Sequence, residues 1–560
     1  MTDTPFLDER RLLYGPWQAF ERDVARVLLA SGFEDVRVVG GSGDHGADVL
    51  AVRNGQLWIV QCKYTSGSSP PSSAVTEIVE AGRFYGADRL AVAVSRPPSD
   101  AMRDEVERYR RAGLKVEVLE PTTLLELARR AQQYAPARRE LRTYQTEACS
   151  QAYESLVDTG RALAVLATGL GKTVVMAALV AELTAEGRLP HGRVLVLAHT
   201  RPLVDQLHRS FWYQLPKTVP THQLCDGEEP AHWNGVIFAT WQSLIRRIAR
   251  IPDIDMVLVD EAHHVGENEY RDLIAALDPP LLVGVTATPW RGDGFEIERV
   301  FGAPVVRIDI AEGLSRGFLC EVDYRLLADD IDWEFVQQAS AHHYSVKQLN
   351  SKLLIPTRDE QAAQAIVNCF RNEARRSGLV FSKSIEHAEY FAGVLRTYGL
   401  RAESLSAATL PREREVVLAR FRAGHTDILA TVDLFNEGMD VPDVDLVAFM
   451  RVTHSRRIFV QQIGRGLRVS ADKDKVIVLD FVSDLRRVAA VVDLDSSTRS
   501  GQVEKLGLGP RLVSFADQSA GAFMREWMLD QASLFAREGD PDLIMPDLEF
   551  PSIPAGGAIQ

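Results

Sequence analysis

The sequence predicts a multidomain α/β protein: a small N-terminal unit, two units built on parallel sheets, and a short C-terminal region. Short apolar strands alternate with amphipathic helices through residues 141–482, which is typical of parallel sheets covered by helices on both faces. A polar segment at 311–360 interrupts this alternation, so two such units are expected. Before residue 135 the order differs, because three strands follow one another directly after a first helix.

Composition limits the classes of protein that remain. The 560 residues allow about three or four domains, and 46% apolar with 25% charged residues is ordinary for a globular protein. No apolar stretch approaches the roughly 20 residues of a membrane span, and the first residues do not resemble a signal peptide, so no membrane partner is expected. The net charge of −14 argues against a protein that coats nucleic acid and favours local basic strips on an acidic body.

Cysteine spacing predicts neither a zinc site nor an iron–sulfur cluster. No two cysteines form a CxxC pair, and widely separated cysteines are typical of reduced thiols in a cytoplasmic protein. The five cysteines are Cys62, Cys149, Cys225, Cys320 and Cys369.

The N-terminal unit is predicted from residue periodicity. Phe20, Val24, Val27 and Leu28 repeat at helical spacing. The elements expected after this helix are strands at 36–39, 47–52 and 57–61, a helix at 74–84, a strand at 89–94, a helix at 101–111, a strand at 115–119 and a helix from 122.

Polar residues on the second and third of these strands predict a metal-dependent phosphodiesterase. Such an enzyme needs oxygen ligands for Mg²⁺ and a cation near the attacking water. Asp48 offers a carboxylate, and Gln61 offers a neutral side-chain oxygen. Strand alternation places Gln61 and Lys63 on the same face, where Lys63 is available to hold hydroxide or stabilise the phosphorane. Glu21 on the first helix is a further candidate ligand.

A glycine-rich loop predicts a nucleotide site in the first parallel-sheet unit. Gly169-Leu170-Gly171-Lys172-Thr173 follows an apolar strand and begins a helix, so that backbone N–H groups can approach phosphates. Lys172 is expected to reach the terminal phosphates and the Thr173 hydroxyl to reach magnesium. A strict P-loop has glycine where this chain has Leu166.

Two acids at the end of another strand complete this predicted site. Asp260 and Glu261 follow the apolar run 256–259. Asp260 is expected to hold magnesium, directly or through water, and Glu261 to orient or deprotonate the attacking water.

With these motifs, residues 141–482 resemble a superfamily-two helicase, most closely the branch that contains type I and III restriction motor subunits, XPB and UvrB. The resemblance implies two tandem RecA-like domains, with ATP and Mg²⁺ as cofactors. It assigns strand contacts to the motifs 198–201 and 240–243, and coupling of hydrolysis to movement to 286–289. Its implied nucleotide-binding residues are Tyr144, Gln145, Thr168, Gly169, Leu170, Gly171, Lys172, Thr173, Asp260, Gly438, Asp440 and Gln461, with Arg465 and Arg468 as arginine fingers.

Residues 16–134 resemble an Mrr-like restriction endonuclease domain. The blocks Gly43–Asp48 and Val60–Lys63 carry the resemblance, together with Phe20-Glu21 at the first helix. It implies a restriction-endonuclease-like fold with Asp48, Gln61, Lys63 and Glu21 at the catalytic site. The wider nuclease fold has an acid where this chain has Gln61, and glutamine is normal in this branch.

These observations predict an endonuclease domain at 1–135, RecA-like domains at 136–310 and 361–485 joined by a connecting segment at 311–360, and a C-terminal region at 486–560. The expected function is an ATP-dependent DNA translocase with an Mg²⁺-dependent endonuclease, in restriction or phage defence by analogy. Its expected partners are duplex or single-stranded DNA, a second copy of the chain, and other defence-system subunits. Two alternatives stay open: a repair or recombination helicase that nicks intermediates, and a nucleic-acid-gated ATPase sensor whose nuclease domain only binds DNA.

Overall fold

The computed structural model divides into two compact units. The first comprises Met1–Leu166, Gly171–Arg307 and Pro411–Ala423, and the second comprises Ala167–Leu170, Ile308–Leu410 and Gly424–Gln560. The structure describes residues 7–14, 16–39, 46–133, 140–225, 228–230, 232–287, 296–328, 330–331, 343–344, 354–355, 359–432, 444–450, 466–467, 469, 473, 475–481, 513–515 and 548–549.

The N-terminal part of the first unit is a five-stranded mixed sheet between two layers of helices. Its strands lie in sequence order, antiparallel from the first to the third and parallel from the third to the fifth. The strands are β1 (Glu34–Val38), β2 (Val49–Arg53), β3 (Gln56–Lys63), β4 (Arg89–Val94) and β5 (Val116–Leu119). The helices are α1 (Glu9–Tyr14), α2 (Trp17–Ala30), α3 (Ser73–Tyr85), α4 (Asp100–Arg111) and α5 (Pro121–Gln133). This order of elements agrees with the sequence prediction.

Alternating side chains divide the apolar core of this sheet in two. Val49 and Val60 point to the face covered by α2 and α5, whereas Leu50 and Ile59 point to the face covered by α3 and α4. The strands β2 and β3 form a hairpin whose turn contains Asn54 and Gly55, both at positive φ (53° and 70°), as a two-residue turn requires.

A seven-stranded sheet forms the rest of the first unit, in the order β12-β6-β11-β10-β7-β9-β8, and the strands from β6 to β8 pair in parallel. The strands are β6 (Arg161–Leu166), β7 (Arg193–Ala198), β8 (Thr221–Leu224), β9 (Gly235–Thr240), β10 (Met256–Asp260), β11 (Leu281–Thr286) and β12 (Pro304–Ile308). The helices are α6 (Thr143–Thr159), α7 (Lys172–Ala185), α8 (Arg201–Phe211), α9 (Trp241–Ile245), α10 (Asn268–Leu277) and α11 (Glu298–Phe301), with 3-10 turns at Ile248–Arg250 and Ala262–Gly266. Apolar cores cover both faces, as the buried strands predict.

Strand β8 was not predicted from the sequence, because Thr-His-Gln-Leu contains a single apolar residue. All four of its residues are nevertheless buried. The helix Pro411–Arg422, named α15 below, also belongs to this unit, and its Val416 and Ala419 pack into the core beside α3.

The second unit contains another seven-stranded sheet, ordered β18-β19-β17-β20-β21-β13-β22, with parallel pairing throughout. Besides α15, which belongs to the first unit, this part of the chain contains α12 (Ile310–Ser315), β13 (Glu321–Ala328), β14 (Asp330–Ile331), β15 (His343–Tyr344), β16 (Leu354–Ile355), α13 (Asp359–Asn372), β17 (Gly378–Phe381), α14 (Ile385–Thr397), β18 (Ala402–Leu405), β19 (Ile428–Thr431), β20 (Leu446–Phe449), β21 (Lys475–Asp480), β22 (Val513–Phe515) and β23 (Leu548–Glu549).

Two strands of this sheet lie outside the range 361–485 predicted for the second domain. Strand β13 lies in the predicted connecting segment and pairs with β21, and β22 lies in the predicted C-terminal region and pairs with β13. Strand β13 was not predicted, because its charged residues interrupt the apolar run. Arg325 binds Asp323 (2.6 Å) and Glu373 (2.6 Å), and Lys475 binds Asp323 (2.8 Å), so these charges are paired locally.

None of the helices in the described part of the chain has the length and apolar character needed to cross a membrane.

Candidate active sites

The hairpin of β2 and β3 brings the predicted nuclease residues to one end of the N-terminal sheet. Val49 pairs with Val60, so Asp48 lies beside the end of β3 that carries Gln61 and Lys63. The Asp48 N–H donates to the Val60 carbonyl (2.9 Å), and its Oδ2 accepts the Cys62 N–H (2.6 Å). Backbone contacts on both sides therefore hold this carboxylate at the edge of the strand.

Gln61 and Lys63 share a partner that the sequence did not suggest, Glu77 on α3. Gln61 Nε2 donates to Glu77 Oε2 (2.6 Å), and Lys63 Nζ donates to the same oxygen (2.8 Å). Ser73 Oγ donates to the other carboxylate oxygen (3.0 Å). Partial burial opposes ionisation of Glu77, but the hydrogen bonds from Lys63 and Gln61 outweigh it and lower its pKa.

Glu21 approaches the same end of the sheet from the opposite face, on α2. Its side chain is buried, and the charges of Asp48 and Glu21 both act on the thiol of Cys62. Burial first and these two carboxylates next raise the pKa of Cys62 well above its usual range. Glu21 and Asp48 therefore lie near one another, around the β3 residue between Gln61 and Lys63.

The donor atoms at this position suit a hard divalent cation. Gln61 is only 1% exposed, and its Oε1 has no hydrogen-bond partner, which is costly for a buried oxygen. Carboxylate and amide oxygens are the kind of ligand that Mg²⁺ prefers, and the Asp48 and Glu21 carboxylates both act on Cys62, the residue next to Gln61.

Glu77 was not among the predicted site residues, although its position in the helical pattern of α3 indicates a specific partner. Ala74, Ile78 and Ala81 are the buried residues of α3 at helical spacing, and Glu77 lies within that stripe, in the first helix after the Gln-x-Lys strand. An acid in a core-facing stripe requires a partner.

The predicted phosphate loop joins β6 to α7. It runs through Thr168, Gly169 and Leu170 to Gly171, which is the residue before α7 and has a φ of 79°. A Cβ at Gly171 would lie 2.6 Å from Gln145 Nε2, so only glycine fits against this side chain. Lys172 and Thr173 form the first turn of α7, and both are half-buried.

The side chain of Gln145 caps the start of α6. Its Oε1 accepts the Arg142 N–H (3.0 Å), and its Nε2 donates to the Tyr144 hydroxyl (3.5 Å). Tyr144 is buried, and this burial raises the pKa of its hydroxyl. Gln145, one of the implied nucleotide-binding residues, thus lies against the phosphate loop at Gly171, and Tyr144 contacts Gln145.

Lys172 and Glu261 form the central ion pair of the motor site. Lys172 Nζ donates to Glu261 Oε1 (3.0 Å). On the other carboxylate oxygen, the Thr286 hydroxyl donates at 3.4 Å and His263 Nδ1 lies at 3.4 Å. His263 Nδ1 also contacts Thr286 Oγ1 (3.0 Å). The predicted water-activating acid is thereby linked to the coupling motif that begins at Thr286.

The backbone of Glu261 is in the left-handed region, with a φ of 48°. A residue with a Cβ loses roughly 1–2 kcal/mol in this conformation, which is found mainly where function requires it. Burial opposes ionisation of Glu261, but the Lys172 ammonium and His263 lower the pKa of its carboxyl.

Asp260 provides the oxygen that suits a cation at this site. It is buried at the end of β10, and its Oδ1 has no hydrogen-bond partner. Burial and the adjacent Glu261 charge raise its pKa. A buried carboxylate oxygen without a donor fits a site that is completed by a divalent cation.

The predicted strand-contacting motifs of the first unit meet through aromatic rings. Trp241 Nε1 donates to His199 Nδ1 (3.4 Å), and Trp241 stacks on Tyr270 with 5.4 Å between ring centroids. His264 stacks on His199 at 4.4 Å. These contacts join the ends of β7, β9 and β10.

Five predicted site residues lie outside the described residues: Gly438, Asp440, Gln461, Arg465 and Arg468. The same applies to Thr288 and Pro289 of the coupling motif. Their roles stay predictions.

Family comparisons assign three domains to the chain. Residues 14–128 match the restriction endonuclease family of the Mrr type, residues 138–291 match the res subunit of type III restriction enzymes, and residues 360–470 match the conserved C-terminal helicase domain. The matches cover both sets of predicted catalytic residues.

Similar proteins include helicases and restriction enzymes. The helicase IRC3 of Saccharomyces cerevisiae is 27% identical over 358 residues, which is 61% of this chain and 51% of that protein. The endonuclease subunit of the Escherichia coli type I restriction enzyme EcoAI is 25% identical over 379 residues, 61% of this chain and 46% of that subunit. The chain thus spans about half the length of these relatives.

A solved structure shows the same fold. It is that of the ATP-dependent type ISP restriction-modification enzyme LlaBIII bound to DNA, with a TM-score of 0.51 and 15% identity, covering 95% of this chain and 42% of that one. The chain therefore joins an N-terminal Mrr-like restriction endonuclease domain to the two domains of a superfamily-two helicase.

Proposed function

We propose that the chain is an ATP-driven DNA translocase joined to an Mg²⁺-dependent endonuclease, and that it acts as a restriction or phage-defence effector. The observation that carries this proposal is that one chain holds two separate clusters of side chains suited to phosphate chemistry. One contains Asp48, Gln61 and Lys63, and the other contains the Lys172–Glu261 pair. The similarity to a type ISP enzyme solved with bound DNA supports DNA as the substrate. The similarity to a type I restriction subunit supports a role in restriction.

In the motor, the residues around Glu261 are arranged to change partners when ATP binds. Lys172 exchanges the Glu261 carboxylate for terminal phosphate oxygens, because these carry more negative charge within its reach. Glu261 is then free to accept a proton from the attacking water while Thr286 and His263 keep it oriented. Thr173 and Asp260 would hold Mg²⁺, which supplies charge neutralisation at the phosphates when bound.

The resemblance to superfamily-two helicases also assigns roles to residues of the second helicase domain. Arg465 and Arg468 would stabilise the charge that develops on the transferred phosphoryl group. Gly438, Asp440 and Gln461 would contribute to nucleotide binding on the same domain.

In the nuclease, each residue has one proposed task. Asp48, Gln61 and Glu21 would hold Mg²⁺, which when bound polarises the scissile phosphate and activates water. Lys63 would stabilise the added negative charge of the phosphorane, since its ammonium lies at the same end of β3 as Gln61.

The test compares plasmid cleavage by the wild type, Lys63→Ala and Lys115→Ala in the presence of ATP and Mg²⁺. Lys115 is an exposed lysine of the same domain and serves as the matched control. We expect Lys63→Ala to lose cleavage by at least about a hundredfold while DNA-stimulated ATP hydrolysis stays within twofold. Equal cleavage, or none, by wild type and Lys63→Ala would instead favour the sensor alternative. Preferential nicking of branched over linear duplex DNA would favour the repair alternative.

A further inference from the structure

The Gln61 side chain has a fixed orientation because of Glu77. A carboxylate can only accept hydrogen bonds, so the group that approaches Glu77 Oε2 at 2.6 Å must be the amide nitrogen of Gln61. The carbonyl oxygen, Oε1, is then turned away from Glu77. It is this oxygen that is buried without a partner.

Packing at Gly46 restricts the same side chain from another side. A Cβ at Gly46 would lie 2.9 Å from Gln61 Nε2 and 3.2 Å from Glu77 Cβ, and the φ of Gly46 is 87°. The backbone at Gly46 thus comes close to the Gln61–Glu77 contact and leaves no room for a larger residue.

Glu77 also holds the lysine of the site. Its Oε2 accepts Lys63 Nζ at 2.8 Å, in a pair whose side chains are 28% and 40% exposed. One carboxylate oxygen therefore places both the neutral oxygen donor and the cation of the proposed nuclease. An exposed pair of this kind adds little stability, so its geometry is more significant than its contribution to folding.

We propose that Glu77 is a positioning residue of the nuclease: it turns the Gln61 amide so that Oε1 faces the divalent cation. The inference rests on the proposed nuclease function. It accounts for the use of glutamine where the wider fold has an acid, since an amide has two different ends and needs a partner that distinguishes them. Glu77 acts through Gln61 and is not itself a ligand.

Metal binding tests this directly, without cleavage. Mn²⁺ is titrated by electron paramagnetic resonance in the absence of ATP and DNA, and the nuclease-bound fraction is the part lost in Asp48→Asn. We expect Glu77→Gln to weaken this binding by about tenfold or more, the usual effect of removing a partner that orients a ligand. Glu80→Gln, which changes an exposed acid one turn further along α3, is the matched control and should bind within twofold of wild type.

A double-mutant cycle separates positioning from direct coordination. In a Gln61→Ala background no amide is left to orient, so adding Glu77→Gln should change Mn²⁺ affinity by less than twofold. A further loss of tenfold in that background would mean that Glu77 is a ligand, and would overturn the proposal. So would wild-type affinity in the single variant Glu77→Gln.

The Mg²⁺ dependence of DNA cleavage provides a second test. Glu77→Gln should raise the Mg²⁺ concentration for half-maximal nicking, and saturating Mg²⁺ should restore most of the rate. A lower maximal rate with unchanged half-saturation would contradict positioning of a ligand. If Asp48→Asn leaves cleavage intact, the proposed nuclease fails. If Asp48→Asn abolishes cleavage but Glu77→Gln leaves the half-saturating Mg²⁺ concentration unchanged, only the positioning role fails.

Discussion

Trp212 is expected to hold the nuclease domain against the first helicase sheet. It follows α8, yet its ring is 7% exposed and belongs to the apolar core formed by α2, β2, β3 and α5. Its Nε1 donates to Thr221 Oγ1 of β8 (3.1 Å). Beside it, Arg22 of α2 forms two hydrogen bonds with Glu228, one of them 2.9 Å long. The perturbation is Trp212→Ala.

The burial of Trp212 determines how much stability Trp212→Ala should lose. Truncating a buried tryptophan to alanine costs about 3–5 kcal/mol, and the lost indole leaves the buried Thr221 hydroxyl without its donor. With an unfolding entropy of about 2.1 cal/mol/K per residue, a unit of roughly 300 residues loses about 1.5 °C of melting temperature per kcal/mol, so a decrease of roughly 5–8 °C is expected. Trp212→Phe keeps most of the volume and should lose about 1–2 kcal/mol.

Calorimetry with a matched control tests this expectation. Trp17→Ala makes the same chemical change in the same compact unit at a side chain that is 49% exposed, and it should shift the melting temperature by less than about 2 °C. Because α2 also carries Glu21, we expect Trp212→Ala to reduce cleavage more than ATP hydrolysis. Equal melting temperatures for Trp212→Ala and Trp17→Ala would refute the shared core.

Three further predictions concern the motor, cleavage and pH. Lys172→Ala should lose ATP hydrolysis more than tenfold, whereas Glu261→Gln should still bind a fluorescent ATP analogue and lose turnover; turnover near wild type in either would contradict the assignment. Double-strand cleavage should rise faster than linearly with protein concentration, because one nuclease site attacks one strand and a two-fold-related copy would meet the other; first-order linearisation by a demonstrated monomer would exclude this. Burial lowers the pKa of His208 well below its usual value and that of His222 to about 3. The unfolded chain takes up protons below about pH 6.5 and the folded chain does not, so stability should fall by up to about 1.4 kcal/mol per histidine for each pH unit below that value. Urea unfolding at pH 7.5 and 5.5 measures this loss, and His222→Gln should reduce it.

Most of the fold follows from the sequence because buried parallel strands are continuous apolar runs. The strand Met256–Asp260 is fully buried, and the run 256–259 predicted it. Strands whose environment comes from distant parts of the chain could not be predicted in this way. β8 is polar and becomes buried, and the charges of β13 are paired with Glu373 and Lys475, which are far along the sequence.

In the candidate sites too, residues of local motifs could be predicted from the sequence, whereas contacts between distant elements could not. Lys172 and Glu261 belong to local motifs whose spacing reflects the chemistry of phosphate binding, and the structure brings them within 3.0 Å. The roles of Glu77 and of the Arg22–Glu228 contact depend on how helices pack against sheets, which no local pattern encodes. Arg22 and Glu228 look like ordinary surface charges in the sequence, and the helical stripe around Glu77 indicates only that this acid needs a partner, without naming it.

Gln61 and Glu77 also constrain each other's identity. A glutamate at 61 would place two carboxylates at the present 2.6 Å contact, and like charges that close cannot both ionise. Gln61→Glu alone should therefore lose Mn²⁺ affinity, although it restores the acid of the wider nuclease fold. Adding Glu77→Gln returns one donor and one acceptor to the contact, so the exchanged pair should bind Mn²⁺ more tightly than either single variant. If Gln61→Glu alone binds as well as the exchanged pair, repulsion at this contact is negligible, and glutamine at 61 needs another explanation. The identity of the proposed metal ligand on β3 is thus tied to a residue on α3.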